Sequence, residues 1–251
     1  MSAILIDSFT SEVVGDRVIV CAGDSITRGQ VSSPWVDTLA ERYAPSGAVV
    51  VNAGVNGNLA WNVLQRLDAV IAARPAVVTV LVGTNDVCAT NSPEMEALYR
   101  EQQGIPETPT PEWFEENIAG ILDRLRTETD ARIAVIELPP VGERLDSEIN
   151  AKVRAYNARI HSAAMARDVT VLPLYDLLVA ELPEQHEPGD YTGDVRLTIQ
   201  AAQAHASGLS WDEISERNGL SLLIDHVHLN DRAGAVLAAL VERFLGNEIG
   251  A

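Results

Sequence analysis

The chain has 251 residues and a formal net charge of −18, and its single lysine is Lys152. Such an acidic chain repels polyanions, so its composition argues against nucleic acid or an anionic membrane as a partner. Apolar residues make up 47% and charged residues 22%, which is typical of a globular protein that buries its own core. Its apolar runs are too short to predict a membrane span.

The amino-terminal segment, MSAILIDSFTSEVVGD, contains acids and lacks the basic stretch of a secretory signal. A cytoplasmic location is therefore expected. The two cysteines, Cys21 and Cys88, are too few in a chain of this size to suggest a disulfide framework.

Short β-branched runs predict five strands, at residues 17–22, 48–52, 76–82, 132–138 and 169–173. These runs are continuously apolar, which is typical of strands that are covered on both faces. Helical periodicity is found between or after them, at residues 34–43, 59–73, 111–126, 146–166 and 232–245. Ser33 is the predicted N-cap of the first of these helices and Pro34 lies in its first turn. The alternation predicts an α/β fold with a five-stranded parallel sheet in a single domain, residues 1–251.

Two long insertions, at about residues 87–110 and 178–224, interrupt this alternation. The second contains a short predicted helix, which begins at a capping box of Ser210 and Glu213 and ends at Asn218-Gly219. Loops of this length in a compact domain are typical of lids or pocket walls.

Three predicted strands are followed directly by unusual turns, GDSITRG (23–29), NAGVNGN (52–58) and GTND (83–86). Because ligands bind beyond the carboxyl ends of parallel strands, we expect Ser25, Gly54 and Asn85 to converge. Ser25 is either a turn residue or a nucleophile held at the end of the sheet. Gly54 supplies either a positive φ angle or a backbone N–H for a ligand. Asn85 is either a turn residue or a donor in the site.

The segment DHVHLN, residues 225–230, contains the groups that a serine nucleophile needs. A serine hydroxyl requires a neighbouring base, and the base requires an acid that orients it. Positions i and i+3 lie on one side of a turn, so Asp225 is predicted to bind His228, whose other ring nitrogen faces Ser25. His226 is expected to point away, into a pocket wall or the surface. A metal site on these two histidines and Asp225 is the weaker alternative, because no other cluster supplies further ligands.

In this order and spacing, GDSIT, NAGVNGN, GTND and DHVHLN resemble the four sequence blocks of the SGNH (GDSL) serine hydrolases. The resemblance implies a flavodoxin-like three-layer α/β/α sandwich. It also implies a catalytic triad of Ser25, His228 and Asp225. The implied oxyanion hole consists of the backbone N–H groups of Ser25 and Gly54 and the side chain of Asn85.

The predicted activity is hydrolysis of carboxylic esters through an acyl-enzyme on Ser25, with a small-molecule ester as substrate and no metal or cofactor. Short-chain acyl esters of a sugar or a small alcohol are the preferred substrates. The alternatives are a lysophospholipase or thioesterase, an acyltransferase with the same triad and, more remotely, a non-catalytic binding module. Nothing in the sequence indicates the oligomeric state. Five residues of the blocks are also predicted to contact substrate: Asp24, Asn56, Thr84, Asp86 and His226.

Overall fold

The computed structural model of the protein describes residues 2–6, 17–185 and 187–246. Within these ranges the strands are β1 (Ile4–Leu5), β2 (Val18–Gly23), β3 (Val49–Gly54), β4 (Val77–Leu81), β5 (Arg132–Ile136) and β6 (Thr170–Leu172). They form one parallel sheet in the order β1-β3-β2-β4-β5-β6. Without the edge strand β1, this is the strand order of a flavodoxin-like sheet.

The sequence predicted five strands, and the additional one in the structure is β1. Its two residues, Ile4 and Leu5, pair with Val51 and Asn52 of β3. Both side chains of β1 are exposed, so this strand lacks the buried apolar run of β2 to β5. The prediction therefore missed a strand that is defined only by its pairing.

The helices among the described residues are α1 (Ser25–Arg28), α2 (Trp35–Tyr43), α3 (Ala60–Gln65), α4 (Leu67–Ala72), α5 (Thr84–Ala89), α6 (Pro93–Gln103), α7 (Pro111–Glu128), α8 (Glu148–Met165), α9 (Leu174–Glu181), α10 (Val195–Ala206), α11 (Trp211–Arg217) and α12 (Asp231–Leu245), with a 3₁₀ helix at Ala44–Ser46. Helix α7 packs between α3 and α8, and α12 packs between α2 and α9. These two groups cover the sheet as the outer layers of an α/β/α sandwich, which confirms the predicted fold. None of these helices is long and apolar enough to cross a lipid bilayer.

Two helix predictions were wrong in detail. Pro34, not Ser33, is the N-cap of α2, and no side chain caps that end. The single helix predicted over residues 59–73 is two helices that meet at Arg66. The Arg66 side chain donates to Asn58 Oδ1 and to the carbonyl oxygen of Gly23, each at 2.8 Å. These bonds tie the junction to the carboxyl end of β2, a contact that periodicity alone does not reveal.

The two insertions contain most of the structure that the sequence left unassigned. The first holds α6, and the second holds α10 and α11. The capping box predicted for α11 is present, with bonds in both directions between Ser210 and Glu213. The helix ends at Asn218, as predicted. Both insertions lie beside the carboxyl ends of β2, β3 and β4, since their side chains share one cavity with Ser25 and Asn85.

Candidate active site

A chain of hydrogen bonds joins three side chains at the carboxyl end of the sheet. The Ser25 Oγ atom lies 2.8 Å from His228 Nε2, although the two residues are separated by 203 positions. The other ring nitrogen, His228 Nδ1, lies 2.8 Å from Asp225 Oδ2. All three residues are buried. The structure therefore brings together the hydroxyl, imidazole and carboxylate in the order that a serine nucleophile requires.

Local bonds explain why Asp225 reaches His228. Asp225 Oδ1 accepts the backbone N–H groups of Val227 at 3.1 Å and His228 at 2.9 Å, which closes a tight turn. Asn230 then caps α12 by accepting the N–H of Ala233 at 3.0 Å. The acid and the base are thus held on one side of a short turn by the sequence of that turn itself.

The backbone before this turn is fixed by Glu143, which the sequence analysis did not identify. Its buried carboxylate accepts the N–H groups of Ser221, Leu222 and Leu223 at 2.7 to 3.0 Å. Glu143 lies in the loop after β5, about 80 positions upstream of the segment that it binds. No local pattern connects the two, so this support was not predictable from the sequence.

Asp225 and His228 each shift the pKa of the other. Burial alone raises the pKa of Asp225, but the positive charge of His228 and the hydrogen bonds from His228 and Thr198 outweigh burial and lower it to about 2. Burial alone lowers the pKa of His228, but the charge and hydrogen bond of Asp225 outweigh it and raise the pKa above its ordinary value. Asp225 therefore stays ionised, and its charge favours the protonated form of His228.

The turn after β3 was interpreted incorrectly at Gly54. The Gly54 N–H already donates to Asn52 Oδ1 at 3.0 Å, and Gly54 does not line the cavity beside Ser25. A Cβ atom at Gly54 would lie 2.3 Å from the backbone nitrogen of Arg28, so the glycine permits close packing of α1 on the sheet. Its φ angle is not in the positive range either.

Gly57, three residues later, occupies the position that was predicted for Gly54. It lines the cavity together with Ser25, and its φ angle is +77°. Among the described residues, no acceptor is found for its N–H group. A Cβ atom there would lie 2.3 Å from Gln103 Nε2, the end of a flexible side chain, so the positive φ angle is the stronger reason for glycine. Gly57 therefore presents bare backbone to the cavity.

Asn85, at the start of α5, presents its amide to the same cavity. Its Nδ2 atom donates to the carbonyl oxygen of Asn58 at 2.9 Å and has a long contact of 3.5 Å with Asp24 Oδ2. Its Oδ1 atom accepts the hydroxyl of Tyr99 at 2.8 Å. Among the described residues, the second N–H of the amide is thus held only by the long contact with Asp24.

The cavity has a volume of about 390 Å³. We call five of its lining residues the site floor: Ser25, Gly57, Asn85, Asp225 and His228. We call the side chains from the two insertions the site walls: Met95, Leu98, Tyr99, Gln102, Tyr191, Asp194, Val195, Thr198 and Ile199. The walls are mainly apolar and the floor is polar, so an ester could bury its acyl or alcohol carbons while its carbonyl meets the floor.

Of the five residues predicted to contact substrate, only Asn56 lines the cavity. Thr84 is buried and does not line it, and neither do the two acids of the turns. Asp24 Oδ1 caps α1 through the N–H of Ile26, and Asp86 Oδ2 accepts the N–H of Ala60. Burial raises the pKa of Asp24 to about 6 and that of Asp86 to about 7. These two carboxyl groups therefore stabilise the turns through hydrogen bonds to backbone N–H groups.

His226 also lies outside the cavity lining. It is buried, its φ angle is +72°, and its ring faces the edge of Tyr191. His226 does not share the cavity with Ser25, but its burial contradicts the predicted position in a pocket wall or at the surface. Within the described ranges, no group of three or more His, Cys, Asp or Glu side chains is arranged to hold a metal ion.

Comparison with known proteins agrees with this geometry. Residues 21–234 match the GDSL-like lipase/acylhydrolase family. No curated protein matches the chain at the sequence level.

Several solved structures share the fold. The acetyl xylan esterase AlAXEase is 18% identical, with a TM-score of 0.61 over 89% of this chain and 97% of that one. A lipase/acylhydrolase from Enterococcus faecalis is 20% identical, with a TM-score of 0.61 over 91% and 95% of the two chains. The acetylxylan esterase Axe2 from Geobacillus stearothermophilus is 16% identical, with a TM-score of 0.62 over 95% and 98%. At these identities the likeness establishes the fold.

Proposed function

Because the chain belongs to the GDSL-like lipase/acylhydrolase family, and is thus a carboxylic ester hydrolase, we propose that it works through an acyl-enzyme on Ser25. The observation that carries the proposal is the continuous hydrogen-bonded chain from Ser25 through His228 to Asp225 at the floor of a cavity. A serine hydroxyl is inert at neutral pH without such a base, and these bonds supply the base and its orienting acid.

In the first half of the reaction, Ser25 Oγ attacks the ester carbonyl carbon while His228 Nε2 accepts its proton. The carbonyl oxygen becomes an oxyanion, and the bond to the alcohol breaks as His228 returns the proton to the leaving oxygen. In the second half, His228 takes a proton from water, which attacks the acyl-enzyme. The acid is released when Ser25 recovers its proton. Asp225 holds the imidazole tautomer and stabilises its charged form.

We assign the oxyanion hole to the backbone N–H groups of Ser25 and Gly57 and the side-chain amide of Asn85. Gly57 replaces Gly54 in this assignment, since the Gly54 N–H is occupied by Asn52 and Gly57 lines the cavity with a free N–H among the described residues. Fixed donors in a water-poor site stabilise the developing charge without reorganisation.

The proposed substrates are short-chain acyl esters of a sugar or another small neutral alcohol. The net charge of −18 disfavours anionic substrates. A cavity of about 390 Å³ suits a small ester better than a long-chain glyceride. The fold shared with acetyl xylan esterases adds support by analogy.

The decisive experiment compares the wild-type protein with Ser25→Ala. The wild type is expected to hydrolyse p-nitrophenyl acetate and to bind a fluorophosphonate probe covalently, whereas Ser25→Ala loses both properties. Ser162→Ala, at an exposed position on α8, is the matched control and retains both. Turnover by a folded Ser25→Ala variant at the wild-type rate would refute the proposal. Assays of acetylated sugars and of p-nitrophenyl esters of increasing length then define the substrate.

A further inference from the structure

We propose that the two insertions complete the catalytic machinery, because each contributes one hydroxyl that positions a residue of the site floor. Thr198, from the second insertion, holds Asp225, and Tyr99, from the first, holds Asn85. Both act through the residue that they bind, so they are positioning residues. The inference rests on the proposed function, since it concerns the rate of that reaction.

Thr198 lies in α10 and binds the carboxylate of Asp225 directly. Its Oγ1 atom donates to Asp225 Oδ2 at 2.6 Å, and this same oxygen accepts the ring N–H of His228 at 2.8 Å. The other oxygen, Oδ1, is held by two backbone N–H groups of the turn. Among the described residues, only Thr198 binds the carboxylate from outside the turn, so this bond fixes the carboxylate against rotation relative to the cavity.

The consequence of removing this hydroxyl follows from the geometry. Among the described residues, Asp225 Oδ2 would retain only His228 as a partner, and the carboxylate could rotate while Oδ1 stays bound to the turn. The imidazole would follow, because its orientation depends on that bond, and Nε2 would move relative to Ser25 Oγ. Hydrogen bonds to a charged group are among the stronger ones in proteins, so the loss should be measurable in kcat.

Tyr99 lies in α6 and binds Asn85, another residue of the site floor. Its hydroxyl donates to Asn85 Oδ1 at 2.8 Å, which is the only hydrogen bond to that oxygen among the described side chains and backbone. Together with the bond from Nδ2 to the carbonyl oxygen of Asn58, this bond fixes the orientation of the amide, because a tyrosine hydroxyl that donates to oxygen selects the oxygen end. The nitrogen end, which carries the donor for an oxyanion, is thereby directed away from Tyr99.

Without this hydroxyl, the buried Oδ1 atom of Asn85 would lose its partner. A buried polar atom without a hydrogen bond is unfavourable, so the loss favours rotation of the amide against the remaining bond from Nδ2 to Asn58. A rotated amide presents an oxygen to the oxyanion, which would repel it. The Tyr99 hydroxyl should therefore affect kcat only through the side-chain amide of Asn85, and have no effect once that amide is removed.

The experiment for Thr198 uses variants that separate the effect of its hydroxyl from the effect of its side-chain shape. Thr198→Val keeps the shape and removes the hydroxyl, and its kcat for p-nitrophenyl acetate is expected to fall about tenfold with KM nearly unchanged. Thr198→Ser restores the hydroxyl and should recover most of kcat. Thr198→Ala provides a second variant without the hydroxyl if the valine variant does not fold. Thr129→Val, a half-buried threonine after α7 and outside the cavity, is the control.

The experiment for Tyr99 is a double-mutant cycle with Asn85. Tyr99→Phe is expected to lower kcat about tenfold in the wild-type background, and to have little further effect in the Asn85→Ala background. Tyr175→Phe is the control, because its hydroxyl accepts a hydrogen bond from Arg154 and the residue is buried but lies outside the cavity.

Several outcomes would overturn the inference. Wild-type kcat in Thr198→Val, equal losses in the serine and valine variants, or additive effects of Tyr99→Phe and Asn85→Ala would each contradict it. An increase in KM at constant kcat would assign these residues to substrate binding instead. These failures differ from failure of the proposed function, in which folded Ser25→Ala would retain the wild-type turnover.

Discussion

The floor and the walls of the active site differ in burial and in bonding. Ser25 and His228, in the floor, are each only 9% exposed, and every side chain of the floor that carries a polar group is hydrogen-bonded. Val195 and Ile199, in the walls, are 51% and 55% exposed. The floor is therefore built for fixed geometry, while the apolar walls are free to adapt to the carbon atoms of a substrate.

This difference predicts where mutations act. Changes in the floor should lower kcat, because they disturb groups that meet the transition state. Changes in the walls that spare Tyr99 and Thr198 should alter selectivity among esters and leave the chemical step nearly intact. The two hydroxyls are the points at which wall and floor are connected.

The largest effect is expected at His228. His228→Ala removes the base and should lower kcat by about four orders of magnitude or more. His226→Ala is the matched control two positions away, and its effect on kcat should be small because His226 does not line the cavity. Stopped-flow or steady-state assays of p-nitrophenyl acetate would measure both. A severe loss in His226→Ala together with an active His228→Ala would show that the wrong imidazole was chosen.

The next largest effect is expected at Asn85. Asn85→Ala removes one donor of the oxyanion hole and should cost about 3 kcal/mol, roughly a hundredfold or more in kcat. Asn91→Ala, at an exposed position after α5, is the control and should behave as the wild type. Steady-state kinetics on the same ester would compare the two variants. An unchanged kcat in Asn85→Ala would remove this residue from the oxyanion hole.

The pH dependence of the reaction tests the coupling between Asp225 and His228. His228 must be neutral to accept a proton, and its pKa is raised above the ordinary value of about 6.5. The value of kcat/KM should therefore fall as the pH drops through a midpoint above 6.5. Asp225→Asn removes the negative charge that raises the pKa of His228, and burial then lowers this pKa. The residual activity should therefore titrate at lower pH. Equal midpoints in the two proteins would contradict this coupling.

The smallest effect is expected at Ile199 in the walls. Ile199→Ala removes apolar contact and should reduce the preference for p-nitrophenyl butyrate over the acetate, by about fourfold for each methylene whose burial is lost. Met165→Ala, which is 81% exposed and outside the cavity, is the control. An unchanged ratio of kcat/KM for the two esters would show that the acyl chain does not contact this wall. A large loss of kcat for both esters would instead contradict the claim that changes in the walls leave the chemical step nearly intact.

Much of the fold followed from local patterns. The runs that became β2 to β5 are mostly buried because both faces of these strands are covered, and together with β6 they form the predicted parallel sheet. The edge strand β1 and the break at Arg66 were missed. Each is defined by contact with a distant segment, with β3 in the first case and with the end of β2 in the second.

In the candidate site, too, the local contacts were predictable from the sequence and the contacts between distant segments were not. The turn around Asp225 is local, since Asp225 binds the N–H of His228 three positions later, and its sequence was enough to predict that the two side chains meet. The choice between Gly54 and Gly57 was not local. It depends on how closely α1 packs on Gly54 and on which backbone N–H is left free beside Ser25.

The sequence by itself determined the elements, their order and the spacing of the acid and the base, because these depend on burial periodicity and on turns of a few residues. Only the tertiary structure decided which glycine faces the cavity, where Glu143 supports the loop, and that Tyr99 and Thr198 reach the site floor. Each of these contacts joins segments that are far apart in the chain, apart from the short link from Tyr99 to Asn85. Such contacts depend on how helices pack, which no pattern in a single stretch of residues encodes.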